Sequence, residues 1–205
     1  MAFLLLAIWL SHTLYPPVGI EADAAQTVGN YRTRNVFVVC IDGLRGTEAF
    51  DAEDPSVFIP QMWNRLRPLG SLYRNFYNLG ATWTTPGNAT IIDGCWELVP
   101  NNEGYRLFRP GCPTMFEYYR RANLQVPQEK VWAVVGKNNC DLLDHSDHPF
   151  YSEAYTASID PSLVGDRSDQ ATWSAMQRVM DEHHPSLVFF HLGEVDRAGH
   201  VSWGW

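Results

Sequence analysis

The sequence predicts an α/β fold with a largely parallel central sheet, and two observations carry that reading. Residues 35–41, 130–136 and 185–192 are near-continuous apolar runs, where a half-exposed strand would alternate. Strands read this way when both faces are covered, as in parallel sheets flanked by helices. Stretches with helical spacing lie between these runs, so strands and helices alternate along the chain.

The bulk numbers set the frame. A chain of 205 residues can build one sizeable core, or one domain with an insertion. Apolar residues at 45% and charged residues at 19% give an ordinary globular balance, not a disordered one. The net charge of -8 argues against a surface that binds nucleic-acid backbone. Eight tryptophans can line clefts or simply pack.

Residues 1–10 form an apolar run too short to span a bilayer, and Ala22-Asp23-Ala24 follows as a small-residue site. Together they resemble a secretory signal peptide over residues 1–25, which implies export to the periplasm or beyond the cell. The competing reading is a mis-set start codon, because no Lys or Arg precedes the run and the spacer is long. No later run suggests a transmembrane anchor. The four cysteines contain no C-x-x-C pair, which argues against a structural zinc cluster. In an exported protein Cys95 and Cys112 are candidates for a disulfide, and Cys40 reads as a small core residue.

The first buried run ends at Asp42-Gly43-Leu44-Arg45. A carboxylate at the C-terminal end of a parallel strand faces the crevice where such sheets hold ligands, or it caps the next turn. Residues 51–58 read as a polar connection. Residues 59–66 have helical spacing that Pro68 and Gly70 end, and residues 71–77 alternate like a strand. Then comes Thr82-Trp83-Thr84-Thr85-Pro86-Gly87-Asn88, a loop running straight into a helix that Gly94 stops. A hydroxyl there is either a plain N-cap or a group held at the positive end of a helix dipole, where a phosphoryl group would sit.

Residues 95–113 are irregular. Thr114 is an N-cap for a helix over 115–122. The second buried strand ends at Lys137-Asn138-Asn139. Residues 141–160 read as a solvated polar loop, including Asp144, His145, Asp147 and His148. A helix starts in Asp166-Arg167-Ser168-Asp169 and runs to about Glu182, with His183 and His184 suiting its C-terminal dipole. The third strand runs into Gly193-Glu194-Val195-Asp196-Arg197-Ala198-Gly199-His200. Asp196 and His200, four residues apart, ligate one ion if the segment forms a turn; otherwise they are a turn carboxylate and a surface imidazole.

Three features thus stand in order: strand-Asp42-Gly43, loop-Thr84-x-Pro86-helix, and strand-Asp196-x-x-Gly-His200. Together, over residues 35–200, they resemble the alkaline phosphatase superfamily, in particular its nucleotide pyrophosphatase/phosphodiesterase branch. The resemblance implies a three-layer α/β/α fold and hydrolysis of small phosphate esters. Two divalent metal ions, zinc by the resemblance, would be held by Asp42 with Thr84 and by Asp196 with His200. Thr84 would be the nucleophile. Lys137 resembles an anion-contacting lysine, and Asn101 or Asn102 stands for a substrate-contacting asparagine. Sulfatases carry C-x-P-x-R at the nucleophile; here Thr84-Thr85-Pro86-Gly87-Asn88 has neither the Cys nor the Arg, which favours phosphate over sulfate esters. The superfamily pattern continues with a D-H-G motif and a last His, whereas this sequence stops at Trp205. The expectation is therefore that residues 26–205 are the N-terminal part of such a domain, with two protein ligands per ion, and inactive as this chain alone. A sulfatase-like hydrolase or transferase and a non-catalytic anion-binding fragment are the alternatives.

Overall fold

The computed structural model describes residues 4–8, 33–74, 76–96, 100–101, 108–160 and 165–202. Five strands form one sheet: β1 (Leu4–Ile8), β2 (Val36–Ile41), β3 (Val131–Val135), β4 (Ser158–Asp160) and β5 (Leu187–Leu192), in the order β1-β2-β5-β3-β4. The last four in that order are mutually parallel, and β1 lies antiparallel along the edge of β2. Residues 4–8 of the apolar run read above as a leader are thus laid down here as an edge strand. Residues 9–32, with the cleavage-like site, fall outside the described residues. No helix among the described residues is long and apolar enough to cross a membrane.

Helices cover both faces, which is why the strands are apolar without alternation. One face carries α1 (Thr84–Asp93) and α2 (Met115–Ala122). Ala89, Ile92 and Phe116 pack there against Cys40, Val131, Ala133, Val135, Leu187 and Phe189. The other face carries α3 (Asp169–His183), whose Ala175, Met176 and Val179 meet Val134, Val188 and Phe190. Alternate residues of β3 and β5 serve opposite layers, as the two-residue strand period requires. A final helix, α4 (Glu194–Ser202), follows β5 after one residue.

Local signals explain the helix ends. Thr114 accepts from the Glu117 N–H while Glu117 accepts from the Thr114 N–H, a reciprocal cap that contributes about 1 kcal/mol. Ser168 caps α3, so the helix starts at the end of the polar cluster rather than at its beginning. Gly94 ends α1 in the left-handed region at φ 72°. Cys95 and Cys112 form the expected disulfide, and Cys40 and Cys140 are buried free thiols.

Two expectations need correction and one gains detail. Residues 71–74, 76 and 77 form no strand: Leu72, Tyr73, Phe76 and Tyr77 all stay exposed, and alternation makes a strand only where one face finds a core. The passage over 59–66 is helical as expected, with Met62–Leu66 winding as a π-helix before a 3-10 turn, Arg67–Leu69. The polar loop after Asp141 is not simply solvated, because Asp144, His145 and Ser146 are buried. Arg109 reaches Asp144 at 2.6 Å, and the buried Glu117 carboxylate accepts from the Ser146 N–H at 3.1 Å and its hydroxyl at 2.8 Å. Those partners make burial of the polar groups tolerable. The same loop then supplies β4, three residues too short to show in the sequence.

Candidate functional site

The site lies at the C-terminal edge of the sheet, where the segments after β2, β5 and β3 are neighbours because those strands are neighbours. Asp42 follows β2 directly, and its N–H donates to the Leu192 carbonyl at 2.9 Å, which extends the ladder by one bond. Gly43 turns the chain at φ 74° and lets α4 come close. A Cβ on Gly43 would lie 2.6 Å from the Asp196 Cα. At the start of α4, Asp169 Oδ1 accepts from the Gly193 N–H at 2.8 Å and the Glu194 N–H at 3.2 Å, while the Glu194 side chain accepts from the Asp169 N–H at 3.0 Å. The starts of α3 and α4 therefore cap each other, which fixes Asp196 in the first turn of α4.

Thr84 is the first residue of α1, not the cap before it; that place is taken by Trp83, which makes no side-chain cap bond. The Thr84 hydroxyl is thereby free of the capping role and donates to Asp42 Oδ2 at 3.1 Å. Buried Asn88 donates to the Thr84 carbonyl at 2.7 Å and holds the first turn from within. Lys137, two residues past β3, sends its stem across the end of β5. Its Nζ lies 2.7 Å from Asp42 Oδ2 and 3.3 Å from Thr84 Oγ1, and it also pairs with Asp196 Oδ2. His200, one helical turn after Asp196, reaches Asp196 Oδ2 at 3.5 Å from an exposed position.

Asp42, Thr84, Lys137, Asp196 and His200 thus converge. Asn101 stands beside them: its Oδ1 accepts from the Thr85 N–H and from the Asn139 amide, each at 3.1 Å. Asn102 lies outside the described residues. A cavity of about 830 Å³ opens over the group, bordered by Trp83, Thr84, Asn101, Lys137, Asp196 and His200 among others. Burial alone would raise the Asp42 pKa, but the His191 imidazole and the Lys137 ammonium outweigh it and hold the carboxyl down at about 2. Burial pulls the Lys137 ammonium downward, and Asp42 and Asp196 overcome that, so its pKa is raised.

Two contributors escape sequence reading. His191 is fully buried, with Nε2 3.6 Å from Asp42 Oδ2. Its signal was an imidazole inside an otherwise apolar strand, one position before that strand's last residue. Asn139 belongs to the polar run after β3, but that it orients Asn101 is a tertiary fact.

The residues are chemically suited to divalent cations. Asp42 Oδ1 and Asp196 Oδ1 are buried without a hydrogen-bond partner among the described residues, and unpaired carboxylate oxygens in a protein interior ask for a cation. Asp42 with the Thr84 hydroxyl would hold one ion and Asp196 with the His200 imidazole the other, an oxygen-rich set with one nitrogen. No group of three or more His, Cys, Asp or Glu side chains placed to hold one ion occurs among the described residues. No protein-family model, curated protein or solved structure matches the chain.

Proposed function

We propose that this chain carries the nucleophile side of a metal-dependent phosphoesterase site, of the phosphodiesterase or phosphatase type, in an alkaline phosphatase-like fold. One observation carries the reading. The Thr84 hydroxyl stands at the N-terminus of a helix, bonded to a buried carboxylate and within 3.3 Å of a buried ammonium, and it faces a cavity large enough for a small ester. Export of the protein and zinc as the native metal belong to the same proposal.

The chemistry follows from the groups present. The Thr84 oxygen attacks phosphorus, its proton leaves to solvent, and the bond to the leaving oxygen breaks with its electron pair, that oxygen taking up a proton from water. Water then attacks the phosphorylated Thr84, releases phosphate from a monoester substrate or the remaining phosphate monoester from a diester, and restores the hydroxyl. The Lys137 ammonium is available to the phosphoryl oxygens once cations occupy the carboxylates, and the N-terminal dipole of α1 favours the anionic group. Divalent ions held by Asp42 with Thr84 and by Asp196 with His200 would supply Lewis acidity that activates a hydroxyl and neutralises phosphoryl charge. That supply is needed, because two carboxylates against one ammonium leave the site net negative, and a net negative site repels a phosphate anion.

The test is capture of the covalent intermediate. The protein is incubated with bis(4-nitrophenyl) phosphate or 4-nitrophenyl phosphate and added Zn²⁺ or Mn²⁺, quenched in acid and digested. Mass spectrometry should place a 4-nitrophenyl phosphoryl group from the diester, or a phosphoryl group from the monoester, on Thr84, and Thr84→Ala should abolish the labelling. Equal labelling of Thr84→Ala, or no labelling of Thr84 with metal present, would refute the proposal.

A further inference from the structure

We propose that the Lys137 ammonium is a resident counter-cation that holds Asp42, Thr84 and Asp196 together in the metal-free protein, and that it swings into the cavity when a divalent ion takes those carboxylates. The inference rests on the reading of Asp42 and Asp196 as ligands, but not on turnover.

Three observations converge on it. First, a single nitrogen satisfies three oxygens, Asp42 Oδ2, Asp196 Oδ2 and Thr84 Oγ1, arranged around the point where one cation serves all of them. Two carboxylates this close repel unless a positive charge stands between them, so the ammonium assembles the site before any ion arrives. Second, the neutralisation is incomplete. One positive charge meets two negative ones, and the Oδ1 atoms of both carboxylates stay buried without a partner among the described residues. A doubly charged ion supplies what the ammonium lacks, so displacement has a driving force. Third, the side chain has a track and a place to go. Its stem lies over Gly193, where an added Cβ would come within 3.0 Å of Lys137 Cγ and 3.3 Å of Cε. Lys137 also borders the cavity into which its ammonium would withdraw.

The sequence offers a clean readout, since its only lysines are Lys130 and Lys137. The full chain is treated with an amine-acylating reagent with and without Zn²⁺, and both lysines are quantified by peptide mass spectrometry, Lys130 serving as the reference. Lys137 should be protected without zinc and become reactive with it. This zinc effect should vanish in Asp196→Asn. In parallel, zinc affinity is measured by equilibrium dialysis for the wild type and Lys137→Met, whose fold is checked by circular dichroism. Removing the competitor should tighten zinc binding by about tenfold or more, whereas a lysine that only supported the fold would weaken it when lost. Zinc binding that leaves Lys137 protected, a Lys137→Met affinity equal to or weaker than wild type, or a zinc-induced gain in Lys137 acylation that persists in Asp196→Asn overturns the inference and leaves the phosphoesterase proposal standing. Absence of zinc binding by both proteins overturns it together with the metal dependence of that proposal. The acylation of wild-type protein decides the matter even if Lys137→Met does not fold.

Discussion

Gly43→Ala tests whether the close approach of α4 to the end of β2 builds the site. The perturbation has two separable parts. The first is conformational: Gly43 sits at φ 74°, where an alanine costs about 1 kcal/mol. The second is steric. The new Cβ would lie 2.6, 2.8 and 2.9 Å from the Cα, Cβ and N of Asp196. Carbon atoms rest at roughly 3.5–4.0 Å, so α4 must retreat by about 1 Å, and backbone atoms have no rotamer to escape into. Such overpacking costs about 2 kcal/mol more, for a total of about 3 kcal/mol. Gly94→Ala is the internal control. Gly94 has nearly the same φ, 72°, with nothing within 4 Å of the added methyl, so it reports the conformational cost alone. Thermal unfolding followed by circular dichroism should show Gly94→Ala lowered by roughly 2–4 °C and Gly43→Ala by roughly 6–12 °C for a chain of this size. Gly43→Ala should also raise the acylation of Lys137, because Asp196 moves away from the ammonium. Equal destabilisation of the two variants would refute the argument, since the contact with Asp196 would then carry no energy.

Two further outcomes test parts of the fold away from the site. Asp144, at 2.6 Å from Arg109 and 2.8 Å from His145 Nδ1, has its pKa lowered from 3.8 to about 2, because these partners outweigh the burial that would raise it. A depressed carboxylate contributes stability that is full above its unfolded pKa and is lost as pH falls through the folded one. Asp144→Asn should therefore cost about 2 kcal/mol at neutral pH, and in urea titrations its deficit should narrow as pH falls from about 5 to about 2; a constant deficit contradicts the ion-pair account. The Cys95–Cys112 bond closes a loop with a sequence separation of 17, so reduction with dithiothreitol should remove about 3 kcal/mol by chain entropy. An unchanged melting temperature after verified reduction would show that the loop is held by other contacts.

The sheet was legible because parallel strands covered on both faces need apolar residues at every position, and residues 35–41, 130–136 and 185–192 supply them. The ends of those runs were legible as well, since a charge next to a buried strand stands out: Asp42 and Lys137 were found this way, Asp196 by its four-residue spacing to His200, and the three do meet. What stayed hidden is what depends on partners distant in sequence. Ser158–Asp160 is a strand only because Val131–Val135 lies beside it. Asp144 and His145 read as solvated until Arg109 and Thr156 close over them. The alternation at residues 71–77 was a local pattern with no sheet to join. Thr84 was legible as a residue at a helix start, but its freedom from capping depends on Trp83 taking the cap position, a one-residue matter of boundary that no propensity resolves.

The role of Lys137 shows why a site can be read residue by residue and still be misread as a whole. By the resemblance, the lysine beyond this strand end is an anion contact, and its natural partner is the substrate. The strand order changes that assignment. Between β3, which delivers Lys137, and β2, which delivers Asp42, lies β5, and the stem must cross its end to reach Asp42. That crossing is possible because residue 193 is a glycine; a side chain there would stand where Cγ and Cε run. The lysine therefore points inward along the sheet edge, into two carboxylates, rather than outward to the ligand. A positive charge held this firmly by two negative ones is a poor phosphate ligand while they keep it. It becomes a better one only once another cation takes over the carboxylates, so the anion contact read from the sequence and the ion pairs seen in the structure belong to two states of one side chain.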